Sequence, residues 1–278
     1  TSVIAHPSTA HTQAFGYIDL GTIYASNHSL TEIHTRIGEW QAMGIDGIFF
    51  DRADYFFGTS RQRQNDAIDY AHNLGLKVAL SAAYPQDVFD SAVDATYNST
   101  GDSSHIGTDD FYFYANHQLV SQGFETAANW QSKAEILKGY QNDLDFKVWS
   151  QTYTDAEHAY DEDAFFYAWH SALLYGHDAT TWGEYLNNGG ASGAVPYRTR
   201  PTLDAGTHFL SNLYSTAANV FERKTSSGTL IIDTNAHTAS FVSDGAPKSA
   251  TTTGELNSAS KPSLTIANGL DSAPSPIL

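Results

Sequence analysis

Residues 43–51 read Met-Gly-Ile-Asp-Gly-Ile-Phe-Phe-Asp, and this stretch decides the fold. Gly44 ends an amphipathic helix, and the short apolar strand that follows ends on a carboxylate, Asp51. In a parallel α/β protein, the residue at the carboxyl end of a strand faces the mouth in which ligands bind. Asp51 is therefore either a residue of a functional site or the cap of the next turn.

Apolar segments of this kind recur at intervals of roughly 30–35 residues, the length of one βα unit. They predict buried parallel strands at residues 15–20, 45–51, 77–82, 111–115 and 146–152. A sixth is predicted around residues 172–180, although its Leu-rich start also fits the end of a helix.

Predicted helices alternate with these strands. Ser29-Leu30-Thr31-Glu32 is a capping box that opens the first helix, and residues 61–74, 129–140 and 161–174 are further helical segments. The alternation predicts an α/β fold of the (β/α)8 TIM-barrel type.

We predict that this barrel domain covers residues 1–225 and that a different region covers residues 226–278. Residues 228–233 and 238–242 form a predicted β-hairpin. From Ser243 the chain is rich in Ser, Thr, Ala and Pro. Such an extended tail cannot bury enough apolar surface alone, so we expect it to lie on another surface or on a partner chain.

The charge balance limits the partners. The chain has 278 residues, with 14 Lys and Arg against 31 Asp and Glu, and a net charge of −17. Nucleic acids and anionic membranes are therefore unsuitable partners, whereas a neutral or cationic polymer is compatible. The chain has no cysteine, and no zinc, P-loop or nucleophile-elbow motif, so we expect no cofactor and no metal.

Several motifs carry a family resemblance. Gly16-Tyr17-Ile18-Asp19, the capped helix and the strand that ends at Asp51 resemble the spherulin-4-like and endo-α-1,4-polygalactosaminidase-like glycoside hydrolases. The versions of that barrel on phage tail and prophage proteins are the most similar. The resemblance extends over about residues 15–240 and includes Thr181-Trp182-Gly183-Glu184. It implies a barrel that acts on an amino-sugar polysaccharide, with Asp51 catalytic, outside the cell or on a virion surface.

The chain departs from that family pattern at three places. Arg52 stands where the hydrolytic relatives commonly have a second acid, and Ala115 stands where they tend to have a glutamate. The family barrel also begins with two strands before the Gly16-Tyr17-Ile18-Asp19 strand, which starts at Phe15 in this chain and has only 14 residues before it. Either the barrel is incomplete at its N-terminus, or an upstream piece has been cleaved away, or other elements close it.

Glycoside hydrolysis needs two carboxyl groups about 5–9.5 Å apart. Asp51 is one, Asp19 and Glu184 are the candidate partners, and Asp54 lies in the following loop. Arg52 beside Asp51 is expected to lower the pKa of that carboxyl, which suits a nucleophile or a structural ion pair. Predicted substrate-binding residues lie near strand ends, where packing in the core or rim is the alternative. They are Tyr17, Arg52, Tyr84, Tyr114, Asn116, His117, Trp149 and Trp182.

Two functions follow from these observations. The first is a glycoside-hydrolase-like barrel that hydrolyses or binds a surface polysaccharide. The second is a non-catalytic structural protein of an extracellular or virion assembly, such as a phage tail or fibre, built on a degenerate hydrolase barrel. In the second case the C-terminal tail docks on a neighbouring copy or on another virion protein.

Overall fold

The structure, a computed structural model, describes residues 12–114, 117–120, 123–153, 160–183, 198–201, 206, 208–244 and 265–267. Contacts divide the chain into two compact units. The first comprises Thr1–Ala115, Ile136–Trp149 and Ser260–Pro274, and the second comprises Asn116–Glu135, Ser150–Ala259 and Ser275–Leu278. The predicted domain boundary at residue 225 stays a prediction.

The described elements follow an alternating order through the first part of the chain. In sequence they are β1 (Ala14–Asp19), α1 (Leu30–Ala42), β2 (Gly47–Asp51), α2 (Arg61–Asn73), β3 (Lys77–Ser81), α3 (Pro85–Phe89), β4 (Phe111–Tyr114), β5 (Leu119–Val120), β6 (Gly123–Phe124), α4 (Ala127–Leu144), β7 (Lys147–Tyr153), α5 (Glu162–Tyr175), β8 (Ala179–Gly183), β9 (Tyr214–Ala217), β10 (Val220–Lys224), β11 (Gly228–Asp233), β12 (Thr238–Ser243) and β13 (Thr265–Ala267). The α/β class predicted from the sequence is confirmed.

The first unit is a parallel sheet whose strands lie in the order β13-β1-β2-β3-β4, followed by the beginning of β7. The register of β1 against β2 pairs Phe15 with Gly47 and Asp19 with Asp51. Because side chains alternate between the two faces of a strand, register partners lie on the same face. Asp19 and Asp51 therefore end their strands side by side.

One face of this sheet packs against helices. Ile48, Phe50, Val78 and Leu80 are fully buried there, together with Ile33 and Ile37 of α1. The predicted capping box is confirmed, because the Ser29 hydroxyl accepts from the Glu32 backbone N–H while the Glu32 carboxylate accepts from the Ser29 N–H. The sequence of α1 thus supplies both its start and its core-facing stripe.

The opposite face of the sheet is aromatic and ends in carboxylates. Nearest the start of the strands, Phe111 stacks on Trp149 with ring centroids 3.7 Å apart, and Phe15 contacts both rings edge-on. One step further along, Phe49 lies between Tyr17 and Phe113. Two further residues along β1 and β2 come Asp19 and Asp51. Layers of inward-pointing side chains of this kind are typical of a (β/α) barrel interior.

Two glycines permit the close approach of β1 and β2 to their neighbours. A Cβ on Gly16 would lie 2.4 Å from the Trp40 ring of α1. A Cβ on Gly47 would lie 2.4 Å from the Phe15 ring and 2.6 Å from the carbonyl of Lys77. The glycines of the two strand motifs are therefore packing requirements.

The second unit contains the later part of β7, β8, α5 and the antiparallel sheet β12-β11-β10-β9. Its core brings Trp130 of α4 and Leu174 of α5 together with Phe221 and Leu230 of that sheet. The predicted hairpin is confirmed, since β11 and β12 pair antiparallel from Gly228–Ser243 to Asp233–Thr238. For the sixth predicted strand, the helical alternative for its Leu-rich start is confirmed, because residues 172–175 finish α5 and the strand begins only at Ala179.

The tail contributes one described strand, β13, which pairs in parallel with Ala14, Phe15 and Gly16. Within the described residues, no helix combines the length and the apolar composition that crossing a membrane requires.

A buried carboxylate ties α2 to the beginnings of β3 and β4. Asp110 is 2% exposed and accepts hydrogen bonds from the backbone N–H groups of Val78 and Gly107, at 2.8 and 2.7 Å. Its Oδ2 also lies 2.9 Å from Nε2 of His72, near the end of α2. This hydrogen bond raises the pKa of His72, against the opposing effect of partial burial.

We predict that His72→Gln destabilises the protein more at pH 5.5 than at pH 8.5. A histidine whose pKa is raised in the folded state stabilises that state below the unfolded pKa of about 6.5, and this contribution disappears as pH rises through the folded pKa. The difference in the free energy of unfolding is about 1 kcal/mol or less, because His72 is partly exposed.

Urea denaturation at the two pH values measures this effect. His105→Gln is the matched control, because His105 pairs with Asp69 on the surface, where both side chains are about half exposed. An equal loss of stability at both pH values for His72→Gln would contradict the prediction.

Candidate functional site

Asp19 and Asp51 lie at the carboxyl ends of β1 and β2, on the aromatic face of the first unit. The sequence predicted both as catalytic, and the structure brings them together on neighbouring strands. Their surroundings differ: a phenol contacts one carboxylate and a guanidinium contacts the other. Two carboxyl groups in different settings are the usual starting point for acid–base chemistry.

Asp51 is half-buried and is held by Tyr17, whose hydroxyl donates to Oδ2 at 2.8 Å. Tyr17 is two residues before Asp19 on β1, so the same face of that strand supplies both groups. Burial raises the pKa of Asp51, although hydrogen bonds from Tyr17 and the Arg52 backbone favour the ionised form. Burial and the Asp51 charge also raise the pKa of Tyr17, which stays a neutral donor.

Arg52 contacts Asp19, where its Nη1 donates to Oδ2 at 2.7 Å. The expected lowering of the Asp51 pKa by Arg52 is wrong as a net result, since the charge of Arg52 lowers that pKa by less than burial raises it. Arg52 forms its ion pair with Asp19, on the neighbouring strand, because the Arg52 backbone has φ 54°. This left-handed conformation breaks the strand alternation immediately after Asp51 and allows the side chain to reach the neighbouring strand.

The Arg52 side chain is enclosed, with only 7% of its surface exposed. Its guanidinium lies 4.9 Å from the ring centroid of Tyr24 and 5.3 Å from that of Phe57. The hydroxyl of Thr59 donates to the Arg52 carbonyl at 2.8 Å and so fixes the backbone. A non-glycine residue with positive φ costs roughly 1–2 kcal/mol, and strain of this kind often accompanies a functional site.

Asp19 is fixed on both oxygens. Oδ2 accepts from Arg52, and Oδ1 accepts from the backbone N–H of Gly21 at 2.8 Å. The sequence had identified Arg52 but not its aromatic neighbours Tyr24 and Phe57. No sequence signal pointed to them, because they lie on two different loops and meet only around the guanidinium.

Two predicted aromatic residues of the first unit lie elsewhere than expected. Tyr114 is 1% exposed and packs with the helix-facing core, on the opposite side of β4 from Phe113. Trp149 is buried at the start of the strands, against Phe111. Neither placement supports contact with a ligand at Asp51. Tyr84 is 53% exposed in the loop after β3 and is open to a ligand.

Two of the predicted residues, Trp182 and His117, are buried in the second unit. Trp182 is buried against Phe165 of α5. His117 is fully buried, with Nε2 at 3.1 Å from the Ser171 hydroxyl, and burial lowers its pKa well below the ordinary value. Asn116 and Glu184 lie outside the described residues, as does Ala115.

The residues that the structure describes contain no group of three or more His, Asp or Glu side chains placed to hold a metal ion.

No family model matches the chain, and no curated protein matches it significantly. Among solved structures, D-psicose 3-epimerase has a TM-score of 0.35 at 14% identity, over 61% of this chain and 63% of that protein. Dihydrodipicolinate synthase from Agrobacterium tumefaciens has a TM-score of 0.35 at 11% identity, over 63% and 71% of the two chains.

A fusion protein of a xylose isomerase-like TIM barrel and 4-hydroxyphenylpyruvate dioxygenase has a TM-score of 0.33 at 11% identity, over 62% of this chain and 26% of that one. The chain thus spans less than two thirds of the epimerase and about a quarter of the fusion protein. Likenesses this distant assign neither a family nor an activity, and the glycoside hydrolase resemblance stays a prediction.

We predict that Arg52→Ala is less stable than Arg52→Gly, and that both are less stable than the wild type. Both changes remove the ion pair with Asp19, but alanine keeps the unfavourable left-handed conformation that glycine adopts without strain. The expected difference in the free energy of unfolding is about 1 kcal/mol. Chemical denaturation of the three proteins at pH 7 measures it, and an Arg52→Ala variant as stable as Arg52→Gly would show that position 52 is not strained.

Proposed function

We propose that this protein is a glycoside-hydrolase-like barrel that cleaves a polysaccharide, with Asp51 as the general acid and Asp19 as its carboxylate partner. The observation that carries the proposal is the register pairing of these two carboxyls at the strand ends, one hydrogen-bonded to Tyr17 and the other ion-paired with Arg52. A raised pKa suits the acid. The proposal differs from the sequence-based expectation for Asp51, which was a lowered pKa that suits a nucleophile or a structural ion pair.

The chemistry follows from the two settings. Asp51 donates its proton to the glycosidic oxygen, and the departing sugar keeps that proton. Asp19 forms a bond to the anomeric carbon as the glycosidic bond breaks. Water, deprotonated by Asp51, then displaces Asp19 and restores both carboxyls. Neighbouring strands lie about 4.8 Å apart, closer to the separation of about 5–5.5 Å in retaining enzymes than to the roughly 6.5–9.5 Å in inverting ones.

The substrate class rests on charge and on the family resemblance. A net charge of −17 disfavours an anionic polymer, so we propose a neutral or amino-sugar polysaccharide at the cell or virion surface. The protein would then act outside the cell or on a virion.

A second candidate is a non-catalytic structural protein of a phage tail or other extracellular assembly. One observation favours it: Tyr114, Trp149 and Trp182 are all buried, so three of the predicted stacking faces are closed to a sugar. In that case the protein would self-associate or bind virion proteins through its tail. Light scattering after gel filtration distinguishes a monomer from such an assembly.

We predict that Asp51→Asn abolishes release of reducing ends from microbial polysaccharides, including α-1,4-linked galactosamine polymers. Loss of a general acid lowers the rate roughly 10²–10⁴-fold. Asp109→Asn is the matched control, because Asp109 is 81% exposed and lies at the other end of β4. Unchanged activity in Asp51→Asn would reject Asp51 as the acid. If the folded wild type releases no reducing ends from any of the polysaccharides, the structural candidate is favoured.

We also predict that Tyr17→Phe moves the alkaline limb of the pH–rate profile to higher pH. Activity requires protonated Asp51, so the rate falls as pH rises through its pKa. The Tyr17 hydroxyl favours the ionised carboxylate, and its removal raises that pKa further. Tyr70→Phe, a change on the helix α2, should leave the limb in place. A shift to lower pH in Tyr17→Phe would contradict the assigned hydrogen bond.

A further inference from the structure

Exposed apolar side chains of the first unit concentrate at the edge of the sheet that carries Asp51. Within its described residues, the exposed large apolar residues are Ile23, Met43, Phe56, Tyr84 and Val93. Ile23, Phe56 and Tyr84 lie on the loops that follow β1, β2 and β3. Met43 caps the C-terminal end of α1, at the opposite end of the strands. Exposed aromatic rings beside a polar site are typical of a binding surface.

The loop that carries Phe56 is held by hydrogen bonds to a carboxylate on each side of this residue. Asp54 is 1% exposed, and its Oδ1 accepts from the Phe57 N–H at 3.2 Å. On the other side of Phe56, the Tyr55 N–H donates to Oδ2 of Asp87 at 3.0 Å. The backbone on each side of the exposed ring is therefore fixed.

The same two residues fix the loop that carries Tyr84, Asp54 through its carboxylate and Asp87 through its backbone. Oδ2 of Asp54 accepts from the Ala83 N–H at 3.1 Å, and the Asp87 N–H donates to the Tyr84 carbonyl at 3.1 Å. Asp54 and Asp87 thus link the loops after β2 and β3 into one structure. A binding surface that is rigid before the ligand arrives loses less entropy on binding.

Packing contacts connect the Phe56 loop to the carboxyl pair. Thr22 joins the loop after β1 to the Phe56 loop, since its N–H donates to the Phe57 carbonyl at 2.9 Å. The Phe57 ring contacts the Phe56 ring edge-on at 5.1 Å and also lies against the Arg52 guanidinium. The chain of contacts runs from Phe56 through Phe57 and Arg52 to Asp19.

We propose that Phe56 and Tyr84 form a preorganised stacking platform, held by Asp54 and Asp87, that binds hexopyranose units of a polysaccharide without negative charge next to Asp19 and Asp51. This inference rests on the proposed function and names the substrate contacts of the same site. Hexopyranose rings present apolar C–H faces that pack on aromatic rings. The net charge of −17 opposes an anionic polymer.

The test measures binding separately from cleavage. In an Asp51→Asn background, Kd is measured by affinity electrophoresis and calorimetry for soluble chitosan, α-1,4-linked galactosamine polymer and laminarin, with polygalacturonate as the anionic probe. Phe56→Ala and Tyr84→Ala should each raise Kd about 5- to 10-fold for the polymer that binds. Met43→Ala changes an exposed apolar residue at the opposite end of the strands and should leave Kd unchanged.

The two proposals fail in different ways. If Phe56→Ala and Tyr84→Ala weaken binding but the wild type cleaves nothing, the platform stands and the hydrolase proposal falls. If cleavage depends on Asp51 but Kd is the same in Phe56→Ala, Tyr84→Ala and Met43→Ala, the platform is wrong and the hydrolase proposal stands. Absence of binding to every polymer, or preference for polygalacturonate, overturns the platform.

Asp54→Asn tests the preorganisation itself. An amide keeps only one oxygen, so either the Ala83 N–H or the Phe57 N–H faces a donor and loses its acceptor. The two loops should then separate, and Kd should rise although neither aromatic ring has changed. Binding as tight as in the parent would show that the carboxylate clamp does not support the platform.

Discussion

The register of β1 against β2 is the constraint on which the rest of the site depends. It pairs Phe15 with Gly47 and Asp19 with Asp51, so that both carboxyls end on the same face of the sheet. A slip of one residue would turn one carboxyl into the helix-facing core and remove the pair. Gly16 and Gly47 permit the packing of these strands, because a side chain at either position would collide with its neighbours.

The ion pair between Arg52 and Asp19 follows from that register. Arg52 leaves the strand in a left-handed conformation, crosses to β1 and is enclosed by Tyr24 and Phe57. One carboxyl thereby gains a cationic partner, while the other keeps only neutral donors and a raised pKa. The same enclosure connects the carboxyl pair to the exposed loops, because Phe57 contacts both the guanidinium and Phe56. Charge separation at the pair and the shape of its surroundings thus have one structural origin.

The burial of most of the predicted aromatic residues bears on the choice between the two candidate functions. Aromatic residues at strand ends suggested a sugar cleft, yet Tyr114 and Trp149 pack inside the first unit and Trp182 inside the second. Phe56 and Tyr84 are exposed rings on the loops that follow β2 and β3. A hydrolase would therefore depend on these two loops to bind the polymer. In a structural protein, the same loops would be free to contact a neighbouring molecule of the assembly.

The sequence by itself determined the α/β class, the capped helix α1, the β11–β12 hairpin and the position of Asp51 at a strand end. These features depend on periodicity, capping and chain order, which are local. Only the tertiary structure decided which side of β4 carries Tyr114, that Arg52 pairs with Asp19, and that Asp54 and Asp87 join two loops. A side chain's partner depends on strand register and on backbone conformation at single residues, such as φ 54° at Arg52. Non-local contacts of that kind leave no periodic signal in the sequence.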